Sequence, residues 1–383
     1  MRILIASDIS SFMRGGVTTE TRHLLGGLAQ AGHTVALVSD APLGAGEAEH
    51  HKAEAGNVAA MAKALELALT RFAPDVVHLM AMSTPGLARI APLLTRHPWL
   101  FTCHSVAPYE RKVPWFHGNE TMHYTTRSMR FALNTVAWRW LFLSGRIPHV
   151  IGHSRFVMDL VVQYGQDAAK GSLIHLGFDL PAQASAPSEG PTRRDKLRLL
   201  TIAGLAHTKG QHDVIAALPS LCERFGSVEY RVIGEVRDTT YVAYLHKLAA
   251  SLGVSGCLSI TPNVSEDEKR QALSSADVYV QPSHEEGFCL AYIEAAAVVP
   301  RLVGADTGAI AAISADDEGA RVVPVRSPQA IAAAVIDVLE RPLPASLMQQ
   351  RVERLGRSFG WDSYIAAHEK LYRELIAGHP TSR

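Results

Sequence analysis

The sequence predicts an α/β protein made of two Rossmann-like domains in tandem, and three observations carry that prediction. Short apolar runs alternate with helical patterns along both halves of the chain, as βαβ units of a parallel sheet do. A stretch rich in Pro, Ala and Ser, "LPAQASAPSEGPTRRDK" (180–196), separates the halves and has the composition of a linker. The alternation then begins afresh at "LRLLTIAG" (197–204). At 383 residues, 47% of them apolar, the chain also exceeds what one hydrophobic core organises.

In chain order, "RILIAS" (2–7), "TVALVSD" (34–40), "DVVHLM" (75–80) and "LFTCHS" (100–105) read as strands, with helical patterns over 17–31 and 58–72. "HVIGHS" (149–154) and "GSLIHLGFD" (171–179) continue the sheet and complete a first domain over 1–180. After the linker, 181–196, a second domain over 197–360 holds a helix at 211–225. Its further strands are "EYRVIGE" (229–235), "GCLSITP" (256–262), "DVYVQPS" (277–283) and "RLVGAD" (301–306). A long helical stretch, 361–378, follows the second sheet. Open α/β sheets bind ligands beyond the carboxyl ends of their strands, so both domains are expected to present loops to a cleft.

Lys and Arg balance Asp and Glu at 37 each, which gives no basic footprint and argues against a nucleic-acid partner. The four cysteines, Cys103, Cys222, Cys257 and Cys289, form no CxxC pair; free thiols in a reducing cytoplasm are expected. "MRILIAS" opens as a strand, so no signal peptide is expected. The most hydrophobic stretch, "VAWRWLFLSGR", is short and contains Arg139, which argues against a membrane span. No DxD motif occurs, so no metal site of that kind and no cofactor are expected. His50, His51, His149 and His153 read as structural or solvated, without zinc-ligand spacing.

The chemistry concentrates in "SHEEGFCLAYIEAAA" (283–297). The strand 277–283 ends at Pro282, a helix follows over 290–298, and "EEGFCL" makes the turn between them. The backbone N–H groups of Gly287, Phe288, Cys289 and Leu290 lack helical partners there and suit an anion. Glu286 before the turn can face a polyol, and Glu294, two turns on, can take hydroxyls from another part of the ligand. A diphosphate between two hydroxyl-bearing sugars, as in a nucleotide-sugar, fits this arrangement. Lys209 in "LAHTKGQHDV" offers the point charge a phosphate needs. Taken singly, Lys209 and Glu294 read as surface residues; together with the turn they read as a site.

"PSHEEGFCLAYIEAAA" resembles the E-x7-E signature of family 4 glycosyltransferases, retaining enzymes of GT-B fold. "RGGVTTETRHLLGGLAQAGHTVALVS" resembles their first glycine loop, helix and strand, and "GHSRFVMDLVVQYG" with "IHLGFD" their passage into the linker. "AGLAHTKG" resembles GRL-x3-KG, and "SFGWDSYIAAHEKLYREL" the last helix, which in the family crosses back (here 361–383) to the first domain. The resemblance implies that Glu286 contacts the transferred sugar, that Glu294 binds the ribose, and that Lys209 and the amides after Gly287 bind the diphosphate. It implies that Gly15 and Gly16 keep a loop thin beside the donor phosphates and that His104 lies near the reacting sugar. By itself, a histidine after an apolar strand reads as a hydrogen-bonded structural residue. Four features depart from the family: Gly204 stands where an Arg is usual, Cys289 where a second glycine is usual, the glycine and proline usual after the E-x7-E helix are displaced in "AAAVVPRLVG", and "DTGAIAAI" lacks a glutamate.

The expected activity is therefore metal-independent transfer of a hexose from a nucleotide-sugar, with UDP before GDP, to a glycan, lipid-linked or small-molecule acceptor in polysaccharide biosynthesis. The alternatives are a nucleotide-sugar-binding protein without turnover and an NAD-dependent oxidoreductase. Asp40 ends the second strand as the latter requires, but residues 7–17 contain no G-x-G-x-x-G. The sequence sets neither the base, the sugar nor the oligomeric state. Over 105–155 there are seven Lys/Arg against two Asp/Glu. The helix expected from Thr121 to Leu143 carries Met122, Met129, Leu133, Val136 and Trp140 on one face, the predicted core side. Tyr124, Phe131, Trp138 and Phe142, with Arg127 and Arg139, fall opposite. A helix buried on both sides, or one whose aromatic side meets the inner face of a membrane through 105–146, are the two readings.

Overall fold

The computed structural model describes residues 1–7, 16–41, 43, 49–54, 56–80, 82–104, 121–179 and 196–379, with 121–131 described as backbone only. They fall into two compact units, Met1–Gly177 with Phe359–Arg383, and Phe178–Ser358. Nearly all of the linker stretch lies outside the described residues.

The first unit runs β1 (Arg2–Ser7), α1 (Gly16–Gln30), β2 (Thr34–Ser39), β3 (Glu49–Lys52), α2 (Val58–Phe72), β4 (Val76–Met80) and α3 (Thr84–Ile90). It continues with β5 (Trp99–Cys103), α4 (Thr121–Leu143), β6 (Val150–Gly152), α5 (Arg155–Gln163) and β7 (Gly171–Leu173). The strands pair in parallel in the order β3-β2-β1-β4-β5-β6-β7. Helices cover both faces, so Ile3, Leu4, Ile5 and Ala6 of β1 are all fully buried and the strand reads as a continuous apolar run. Local chemistry sets the helix limits. The Asn57 side chain accepts from the amides of Ala59 and Ala60 to start α2, and Ala73, left-handed at φ 45°, closes it on the Leu69 carbonyl.

The second unit runs β8 (Leu197–Ile202), α6 (Gln211–Phe225), β9 (Val228–Ile233), α7 (Thr239–Ser251), β10 (Leu258–Thr261), α8 (Glu266–Ser275) and β11 (Val278–Gln281). Then come α9 (Leu290–Ala296), β12 (Leu302–Ala305), α10 (Ile310–Ile313), β13 (Ala320–Val323), α11 (Pro328–Glu340) and α12 (Leu347–Phe359). Its parallel order is β10-β9-β8-β11-β12-β13. Strand order reverses between β1 and β4 and between β8 and β11, the switch points where such sheets hold ligands. The last helix, α13 (Trp361–Gly378), belongs to the first unit. Ile365 lies over Gly27 of α1, where a Cβ would come within 2.6 Å of it, and the Tyr372 hydroxyl meets His78 Nδ1 at 2.7 Å.

The structure corrects the sequence reading at three places. Glu49–Lys52, assigned no element from the sequence, is an edge strand beside β2, with His50 Nε2 3.0 Å from Ser39 Oγ. An edge strand has only one partner and needs no apolar alternation, so its pattern is silent. The strand Ala320–Val323 was also missed, for its four residues include Arg321 and stand at the other sheet's edge. The faces of α4 are inverted. Trp138 and Phe142 are buried at 4% and 2% exposure, whereas Leu133, Val136 and Trp140 are 66%, 64% and 47% exposed. Trp138 stacks on Phe101 of β5 at 5.9 Å and on Phe142 at 5.4 Å. Two apolar stripes share one helix, and the larger rings fill the space against the sheet. Tyr124 and Phe131 are outside the described side chains. No helix among the described residues is long and apolar enough to cross a membrane.

Candidate active site

Two turns meet at the switch point of the second unit: 203–210 after β8 and 282–289 after β11. Gly210 is left-handed at φ 67°, and a Cβ there would lie 2.0 Å from the Pro282 carbonyl oxygen, so only glycine permits the approach. The His284 amide donates to the Thr208 carbonyl at 2.8 Å, tying the turns together. Lys209 and Glu286 are thereby paired, Nζ to Oε1 at 2.8 Å, with both side chains mostly covered.

Glu286 is held by a buried relay. The Tyr279 hydroxyl donates to Gln281 Oε1 at 2.7 Å, Gln281 Nε2 to Ser283 Oγ at 2.8 Å, and Ser283 Oγ to Glu286 Oε1 at 2.8 Å. The Glu286 amide donates to Thr307 Oγ1 at 3.1 Å. Gly308, left-handed at φ 58°, closes the far side, since a Cβ would stand 2.7 Å from that of Glu286. The altered "DTGAIAAI" turn thus braces the backbone of Glu286.

Cys289 precedes α9 in the left-handed region at φ 87°, a conformation that favours glycine. Its thiol is buried, and burial together with the nearby Glu286 charge pushes its pKa well up, so it is a packed, protonated side chain. Phe288 is buried, and its carbonyl accepts from the Ala309 amide at 2.9 Å. Glu294 on α9 pairs with Lys269 of α8, Oε2 to Nζ at 2.7 Å. Over Gly204 lies the side chain of Arg237, whose Nε would be 2.8 Å from a Cβ at that position. Arg301, another cation of this domain, donates Nε to the Val338 carbonyl at 2.8 Å and precedes β12, at the amino end of the strand and so away from the turns.

In the first unit His104 follows β5 directly. Its Nε2 bonds Oε2 of Glu20 from α1 at 2.6 Å. Glu20 is fully buried; the Tyr364 hydroxyl of α13 donates to its Oε1 at 2.6 Å, and His153 Nε2 is 2.9 Å from the same oxygen. Burial alone would raise the pKa of Glu20, but His153 and His104 hold it well below the usual carboxylate range. Burial opposes charge on His153, yet Glu20 lifts its pKa. Gly16 is the first residue of α1; Gly15 lies outside the described residues.

Among the described residues two groups bring donor atoms within 4.8 Å of one another: His207, His212 and His284, and Glu20, His104 and His153. In the first, Asp213 Oδ2 takes His284 Nε2 at 2.6 Å, and burial pushes His212 down to about 4. In the second, His104 is hydrogen-bonded to Glu20 and His153 stands within ion-pair range of it. His153, read from sequence as structural or solvated, is part of it.

Family models match both halves: "Glycosyltransferase Family 4" over residues 14–181 and "Glycosyl transferases group 1" over 184–357. The chain belongs to the family 4 glycosyltransferases. It is similar to a phosphatidyl-myo-inositol mannosyltransferase of Mycolicibacterium smegmatis, 26% identical over 396 residues, with 99% of this chain and 95% of the relative covered. A glycogen synthase of Mycobacterium tuberculosis is 26% identical over 405 residues, covering 97% and 94%. An Anabaena protein solved in complex with UDP-glucose shares the fold, with TM-score 0.70, 16% identity and coverage of 98% and 100%.

In this glycosyltransferase the fold brings Lys209 and Glu286 together and sets Gly287, Phe288, Cys289 and Leu290 at the entry to α9, while Glu294 engages Lys269 instead of standing free. Sequence reading missed Glu20, Tyr364, Lys269, Ser283 and Thr307. Glu20 carried one signal, an acid just past the glycine pair in "GGVTTE". Tyr364, Lys269 and Thr307 carried none, because their partners are distant in the chain, and Ser283, two residues from Gln281 and three from Glu286, shows its role only once the turn is folded.

Proposed function

We propose that the enzyme transfers a hexose from a nucleotide-sugar, UDP-linked before GDP-linked, with retention and without a metal ion. The Lys209–Glu286 pair at the switch point carries this reading. Lys209 meets the diphosphate together with the amides after Gly287, where positive charge offsets the growing charge of the leaving group. Released from Lys209, the Glu286 carboxylate faces the sugar and stabilises its cationic transition state. Glu294 binds the ribose, and His104 hydrogen-bonds a sugar hydroxyl. The Anabaena complex, by its UDP-glucose, supports the first choice of donor.

The acceptor is a glycan, a lipid-linked sugar or a small molecule, and the name of the mannosyltransferase relative favours a lipid. The exposed stripe of Leu133, Val136, Trp140 and Leu143, with Arg146 stacked over Trp140 at 4.3 Å, suits peripheral contact with an anionic membrane. Thermal shift with UDP, GDP and their sugars, followed by product analysis with the best binder, tests the donor. Binding of nucleotides without transfer or donor hydrolysis would leave a binding protein.

A further inference from the structure

We propose that Glu20 is a positioning residue that fixes His104 with its proton on Nε2, so that Nδ1 stays an acceptor for a sugar hydroxyl. The inference rests on the reading that His104 meets the sugar. A carboxylate can only accept hydrogen bonds, and this one is fully buried with its oxygens divided between partners. Oε1 receives the Tyr364 hydroxyl and faces His153, and among the described residues Oε2 takes only His104. His153 also donates Nδ1 to the Ile174 carbonyl at 2.8 Å. Its Nε2 stands 2.9 Å from Oε1, and the charge that Glu20 favours on this ring balances the carboxylate. With that charge balanced, Oε2 needs from His104 only a hydrogen-bond donor at Nε2. The lone pair is then on Nδ1, which is buried and has no hydrogen-bond partner among the described residues. A hydroxyl donating there recovers the penalty of an unmade buried bond.

Glu20→Gln tests this with little change of shape. Two donors crowd Oε1, so the amide oxygen takes that side and the NH2 group faces His104. It donates to Nε2 and drives the proton to Nδ1. The full chain, labelled with 15N-histidine and assigned with His104→Asn, reports the tautomer by long-range nitrogen–proton correlation. Wild type should show Nε2 protonated, Glu20→Gln should show Nδ1 protonated, and Tyr364→Phe, which spares Oε2, should keep the wild-type tautomer. Once a donor is known, Glu20→Gln should lose roughly 5- to 100-fold in kcat/KM.

A wild-type ring protonated on Nδ1 overturns the proposal, even if no variant folds. So does an unchanged tautomer in folded Glu20→Gln. If His104→Ala loses turnover while Glu20→Gln, its tautomer inverted, does not, the positioning role fails and the function stands. If His104→Ala turns over fully, the reading of His104 at the sugar fails instead.

Discussion

Lys209 Nζ and Glu286 Oε1 are 2.8 Å apart, although each comes from a different strand-to-helix turn of the second sheet. In the proposed function, a donor entering between them exchanges this contact for two others, phosphate with Lys209 and sugar with Glu286. Lys209→Ala should therefore weaken nucleoside diphosphate binding far more than nucleoside binding, as calorimetry with both ligands would show. Equal weakening of the two would remove Lys209 from the phosphate.

Glu286→Gln and Glu294→Gln should separate kinetically. The first keeps the Ser283 hydrogen bond but removes the charge, and kcat should fall by about two to four orders of magnitude. The second should raise KM for the donor with kcat nearly intact. Its effect on stability should stay below about 1 kcal/mol, because the Glu294–Lys269 pair is partly exposed. Small, equal kinetic effects would displace the site.

Chelation should spare turnover. In the proposed site Lys209 and backbone amides supply the positive charge, so excess EDTA should leave most activity. Complete loss, restored only by a divalent cation, would instead direct attention to His207, His212 and His284.

The two tryptophans of α4 should behave oppositely. Trp138→Ala removes a core ring and should destabilise by about 3–5 kcal/mol, whereas Trp140→Ser should unfold at nearly the wild-type denaturant concentration. If the exposed stripe meets membranes, wild type should co-sediment with anionic vesicles in a salt-sensitive way, and Leu133→Ser with Trp140→Ser should abolish it. Failure of wild type to bind such vesicles would leave the stripe without that role.

Glu20 and His153 also shape stability against pH. The depressed pKa of Glu20 adds stability above the ordinary carboxylate value of 4.5, lost as pH falls through its folded value. The raised pKa of His153 adds stability below 6.5, lost as pH rises through its folded value. Together they contribute most between those ordinary values. His153→Gln should lower Tm and flatten its decline on the alkaline side of 6.5; an unchanged alkaline slope would contradict the ion pair.

The sequence by itself determined the two parallel sheets and the glycosyltransferase family, since both are written in local patterns: apolar runs buried on both faces, and turn residues such as Gly210 and Gly287 in short motifs. It also pointed to Lys209 and Glu286 separately, each at a strand end. Only the tertiary structure decided that they touch, because the Gly210–Pro282 approach joins turns far apart in the chain. It alone gave Glu294 to Lys269 and placed Glu20 beneath His104, through partners on α8, on α13 and just after β6 that leave no trace at the residue itself. The faces of α4 were decided in the same way. Helical periodicity finds an apolar stripe, but when a helix carries two, the shape of the sheet beneath selects which one is buried.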